Sequence, residues 1–137
     1  MFPSIAIAGS GLGVDQTWLD AISGNVANAN DAVTPGKPVY RAQEVVAEAS
    51  PNGVGPTPSS AGNGVQVAAV ALGPAKGILT SDPTSPLADK QGDVVYPEIN
   101  IGHQMTTLVE AQMSYEADAT VLQNSDSAYK AILAIVP

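Results

Sequence analysis

The chain has 137 residues, enough for one domain of ordinary size, and 45% of them are hydrophobic, a globular rather than a disordered share. Thirteen acids against five scattered bases (Lys37, Arg41, Lys76, Lys90, Lys130) give a formal net charge of −8, which excludes a nucleic-acid binder, since phosphate neutralisation needs clustered cations. There is no cysteine, hence no disulfide framework and no thiolate chemistry, and charged residues make up only 13%, a sparse surface that suits a protein covered by neighbours.

Steps of three and four from Ile5 give Ala8, Leu12, Asp15, Leu19, Ile22, Val26 and Ala29, a heptad seam broken only by Asp15. Ile7, Val14, Trp18 and Ala21 form a second apolar face about 120° around the axis. A helix apolar on two faces packs against other chains when its own chain is too short to bury both. Gly9, Gly11 and Gly13 each cost about 1 kcal/mol inside a helix. Two starts therefore fit. The helix begins at Gly13 or Val14, or it runs from Ser4 with the glycines admitting a close neighbour; the seam through Ile5, Ala8 and Leu12 favours the second. Asn28, Asn30 and Pro35 mark its stop. Met1-Phe2-Pro3 lacks the basic start of a cleavable signal, and no run of about 20 apolar residues predicts a membrane span.

Residues 31 to 99 hold nine of the eleven prolines, so regular helix is not expected there. Val39 to Ala47 and Val65 to Ala71 read as two strands of a hairpin, separated by the long loop SPNGVGPTPSSAGN. DPTSPLADKQGD reads as turns, and Asp93 to Tyr96 as a further short strand. From Asn100, placed to cap, a second helix runs to the C-terminus without a glycine or proline between His103 and Val136. Its expected seam is Ile101, Met105, Leu108, Gln112, Tyr115, Ala119, Leu122, Asp126, Tyr129, Leu133 and Val136. At 1.5 Å per residue it is roughly 50 Å long and needs a partner along that length.

Little in the sequence supports chemistry. Gly9 and Gly11 begin a dinucleotide-binding glycine pattern, but Val14 stands at its sixth place and no βαβ unit follows. His103 is the only histidine and has no ligand cluster around it. Asp15 and Asp126, each interrupting a seam, either face water where the helices diverge or fix register against a partner's Lys or Arg. Neither a catalytic site, a cofactor nor a metal is expected.

Ile7 to Leu12 (IAGSGL) followed by Ser23 to Ala29 (SGNVANA) resembles the N-terminal signature of flagellar rod, hook and related axial proteins. Pro38-Val39-Tyr40-Arg41-Ala42, Gly64-Val65-Gln66-Val67, Asp82-Pro83, Pro86-Leu87-Ala88-Asp89, Gly92 and Tyr96-Pro97 narrow the resemblance to the FlgC family of basal-body rod proteins. Glu110-Ala111 to Tyr115-Glu116-Ala117 is similar to that family's last helix; Met113 stands where the family has Arg, and Asp118 where it has Asn. The resemblance implies a proximal rod subunit of the bacterial flagellum, exported by the flagellar type III apparatus without signal cleavage and spanning the periplasm within the basal body. It implies helical assembly with copies of itself and other rod proteins, contacts with ring proteins, and no enzymatic activity.

The predicted fold is mainly α with a small β module. Residues 1–30 and 101–137 supply long terminal helices of a core domain, pairing as a coiled-coil-like core, and residues 31–99 form an irregular Pro/Gly-rich β-hairpin arm. The candidate assembly and packing residues are Ile5, Leu12, Trp18, Leu19, Ile22 and Val26 of the first helix and Leu108, Tyr115, Leu122, Tyr129 and Leu133 of the second. A secreted acidic helical adaptor or chaperone-like binding module is the competing expectation.

Overall fold

The computed structural model describes residues 2–51, 62 and 64–134, with Phe2 and Pro3 described by backbone alone. The order is α1 (Phe2–Asn28), β1 (Gln43–Ala49), β2 (Val65–Leu72), β3 (Ile78–Ser81), β4 (Asp93–Tyr96) and α2 (Ile101–Leu133). The fold is thus mainly helical, with two small antiparallel hairpins, β1–β2 and β3–β4. The long loop expected over residues 50 to 63 lies, apart from Ser50, Pro51 and Gly62, outside the described residues, as does Val136 of the expected seam.

α1 runs straight through Gly9, Gly11 and Gly13, so the earlier of the two expected starts is the observed one. Gly9 and Gly13 face open space, whereas a Cβ at Gly11 would collide with the carboxylate of Asp118. Of the three, only Gly11 is thus required by a close approach. The helix stops where expected: Asn28 Nδ2 donates to Gly24 O at 2.8 Å, and Asp31 N closes a turn on Asn28 O at 3.1 Å. α2 opens on its expected cap, Asn100 Oδ1 accepting from His103 N at 3.0 Å.

The chain divides into two compact units. The first takes Met1–Leu19, Val45–Ala69 and Val109–Pro137. Its buried positions are small or polar: Ala8, Asp15, Ser50 and Ala111. Ser10 Oγ accepts from Val65 N at 3.0 Å and ties β2 to α1, while Ser50 N donates to Gly64 O at 3.0 Å and closes the ladder.

The second unit takes Asp20–Glu44 and Val70–Leu108. Its core is Ala21, Ile22, Ala29, Val39, Val94 and Val95, with Val94 fully enclosed. Val33 and Val95 exchange backbone hydrogen bonds at 2.8 and 2.9 Å and anchor the chain leaving α1 to β4. The turn-rich segment between β3 and β4 behaves as its sequence predicts: Asp82 accepts from Thr84, and Asp89 accepts from Gln91 N and Asp93 N at 2.8 and 3.0 Å. At Gly77, φ is +64° and a Cβ would stand 2.5 Å from Tyr96 O, so glycine is required there.

Asn25 fixes this unit. It is 1% exposed. Its Oδ1 accepts from Gln43 N at 2.7 Å and Tyr40 OH at 3.2 Å; its Nδ2 donates to Gln43 O at 2.8 Å and Gln104 Oε1 at 3.0 Å. The amide is therefore saturated, two donors and two acceptors. This also explains a difference from the expected strand, which was to begin at Val39. Val39 is buried in the core, Tyr40 turns to Asn25, and both backbone groups of Gln43 are held by Asn25, so the ladder starts at Gln43. β3 was not expected at all.

Replacement Asn25→Ala strands both backbone groups of Gln43 and is expected to cost about 3 kcal/mol. Denaturant unfolding of the purified chain measures it, and a loss within ~0.5 kcal/mol contradicts the role given to this amide.

Candidate assembly interface

The expected interface residues separate by exposure. Ile22 is 2% exposed and serves internal packing. Ile5, Leu12, Trp18, Leu19, Val26, Leu108 and Leu122 are half-buried, and Tyr115, Tyr129 and Leu133 are exposed.

On α2 the sheltered positions are Gln104, Thr107, Leu108, Ala111, Asp118, Ala119, Leu122 and Ser125. They share Leu108, Ala119 and Leu122 with the expected seam, but Met105, Gln112 and Asp126 of that seam are exposed. The sheltered stripe is thus turned toward the small and polar side of the helix. Close approach explains the turn: Gly11 and Asp118 meet in the first unit, and Asn25 and Gln104 in the second. Small residues let helices approach, while large side chains at those places would hold them apart.

The large apolar residues are consequently displayed. Ile101, Met105, Val109 and Met113 are 42%, 43%, 54% and 66% exposed and stand four residues apart, one ridge of the helix surface. Val121, Tyr129, Ile132 and Leu133 are exposed further along α2. An apolar display on this scale marks an interaction surface. No described helix is long and apolar enough to cross a membrane.

The two seam-breaking aspartates behave differently. Asp126 is exposed and pairs with Lys130 at 2.7 Å, an ordinary surface pair four residues apart. Asp15 does not face water: it is 5% exposed, and its Oδ2 has no hydrogen-bond partner among the described residues. It lines a cavity of about 420 Å³ in the first unit with Val14 and Trp18 of α1, Val45 and Val65 of the hairpin and Asp118 of α2. Burial, and then the charge of Asp15, push the Asp118 carboxyl upward from its ordinary value. Sequence reasoning missed this pair because Asp15 and Asp118 lie far apart in the chain and only the fold joins them.

No protein-family model matches the chain. Among curated proteins it is similar to the flagellar basal-body rod protein FlgC of Borreliella burgdorferi, 32% identical over 148 residues that cover 99% of this chain and 97% of that protein. FlgC of Salmonella typhimurium is 35% identical, with 88% of this chain and 87% of that protein covered. FlgC of Bacillus subtilis is 29% identical, with 88% of each covered.

The carboxyl pair has a pH signature. A carboxyl whose folded pKa is raised contributes stability that is present below the unfolded value, 3.8, and lost as pH rises through the folded value. Asp118→Asn removes the charge that carries this loss. The thermal midpoint of the purified variant is expected to rise at pH 7 by roughly 1–2 °C, a small gain because much of the carboxyl is still solvated. The gain should close as the pH falls below the carboxylate range. A variant less stable than the parent at pH 7 contradicts the repulsion.

Proposed function

Since the chain belongs to the FlgC family of flagellar basal-body rod proteins and is a structural subunit of that rod, we propose that it assembles helically into the proximal rod through its terminal helices. In this reading residues 1–30 and 101–137 form the core domain, paired along their length, and residues 31–99 form the outward arm. Its partners are copies of itself, other rod proteins and the surrounding rings. It is exported unfolded without signal cleavage and spans the periplasm as part of the drive shaft that motility requires. The role is mechanical and calls for no catalytic group.

The observation that carries this reading is the exposed apolar ridge on α2. A helix that shelters its small residues and displays Met105, Val109 and Met113 is built to be covered. The display extends from Ile101 to Leu133, a length of about 50 Å, rather than gathering in one groove as a client-holding adaptor would require. Contacts of this kind repeated head to tail without closing give a rod. A sparse charge content limits like-charge repulsion between stacked copies of an acidic chain.

Met113→Glu tests the reading because it separates folding from assembly. The side chain is 66% exposed, so the purified variant should unfold within ~0.5 kcal/mol of the parent. In a deletion strain it should be exported but not built into rods, leaving cells non-motile. Normal swimming would show that this ridge stays uncovered in the rod. Leu122→Asp, at a half-buried position, is expected to fail in both assays, costing on the order of several kcal/mol in the isolated chain.

A further inference from the structure

The cavity lined by Asp15 lies in the first compact unit. Among the described residues it leaves a carboxylate oxygen of Asp15 out of water without a donor, a state that is penalised unless a partner is supplied. A second carboxylate, Asp118, also lines the cavity, and no basic residue among the described residues does. Apart from the hydroxyl-bearing Ser114, the rest of its lining is mostly apolar, with Val14, Val45 and Val65 together with Trp18, whose ring type attracts cations best. Two carboxylates inside an apolar collar match an ammonium on an aliphatic stem.

We propose that this cavity is a socket for the ammonium of a lysine contributed by a second copy of the chain. The distribution of charge selects the donor. The compact unit that holds the socket contains a single base, Lys130, already paired with Asp126 at 2.7 Å. The other four bases lie in the second compact unit. Of these, Arg41 is engaged, its Nε donating to Gly73 O at 2.7 Å and its Nη2 to Leu72 O at 3.1 Å. Lys37, Lys76 and Lys90 are exposed, and no ion pair among the described residues involves them. A socket and a plug on different parts of one chain make a heterologous contact, the kind that propagates rather than closes. The socket then also sets register, because an unfilled carboxylate penalises every misaligned neighbour.

The proposal rests on the reading of the chain as an assembly subunit. Sedimentation velocity of the purified full-length chain, at low and at high salt, tests it. The parent is expected to self-associate, less so at high salt. Asp15→Asn should weaken association about tenfold or more while raising the thermal midpoint of the dilute chain, since it removes a buried charge that only assembly compensates. One of Lys37→Gln, Lys76→Gln and Lys90→Gln should reproduce the loss, and its combination with Asp15→Asn should lose no more than either alone. Should Asp15→Asn fail to fold by circular dichroism, Asp118→Asn replaces it with the same expected outcomes. The proposal is overturned if the parent stays monomeric at all concentrations, if the Asn variant associates as tightly as the parent, or if no lysine couples to it. Cells in which Asp15→Asn restores motility with unchanged self-association would remove the socket and leave the rod reading intact. A parent chain absent from isolated basal bodies would remove the rod reading itself.

Discussion

One buried amide, that of Asn25, joins three stretches of chain that are far apart in sequence. It holds the backbone of Gln43, the hydroxyl of Tyr40 and the side chain of Gln104 at once. Each bond closes a loop whose ordering costs entropy, and a buried amide left half-satisfied is worse than an apolar residue in its place. The network therefore specifies one arrangement of α1, the strand entry and the start of α2. Gly24 belongs to the same device, because a Cβ there would stand 3.2 Å from the Tyr40 hydroxyl.

Away from this network the chain is economical in its own core. The enclosed residues among those described are few and mostly small, and most of the large apolar side chains of α2, Leu108 and Leu122 excepted, are exposed. A monomeric protein of this length gains its stability by the opposite choice. A rod subunit gains stability from its neighbours, and whatever it buries internally is lost to the interface. Small residues inside and large ones outside is the division that serves assembly, and Ala111 enclosed beside an exposed Met113 shows it within one turn of α2.

The same division explains what the sequence could and could not reveal. Both long helices, the stop of α1 and the Asn100 cap were legible, because propensity and capping act locally. The Asp82 and Asp89 turns were legible for the same reason. The direction in which α2 faces was only half legible. A heptad reading ranks residues by hydrophobicity, and here close packing at Gly11 and Asp118 outranks it. β3 has four residues and no alternation, so nothing local announces it. The start of β1 and the burial of Asp15 depend on partners distant in sequence, which no local pattern encodes. The family resemblance reached the function from motif residues such as Asn25, although their bonding could not be read from the sequence.

The central claim is that the exposed ridge of α2 is covered in the rod. The absence of cysteine allows a direct measurement, since a single Met113→Cys substitution gives the chain its only thiol. Maleimide labelling of that thiol is compared in the purified chain and in isolated basal bodies. The account predicts rapid labelling of the purified chain and strong protection in the basal body. Equal labelling rates in the two would contradict it.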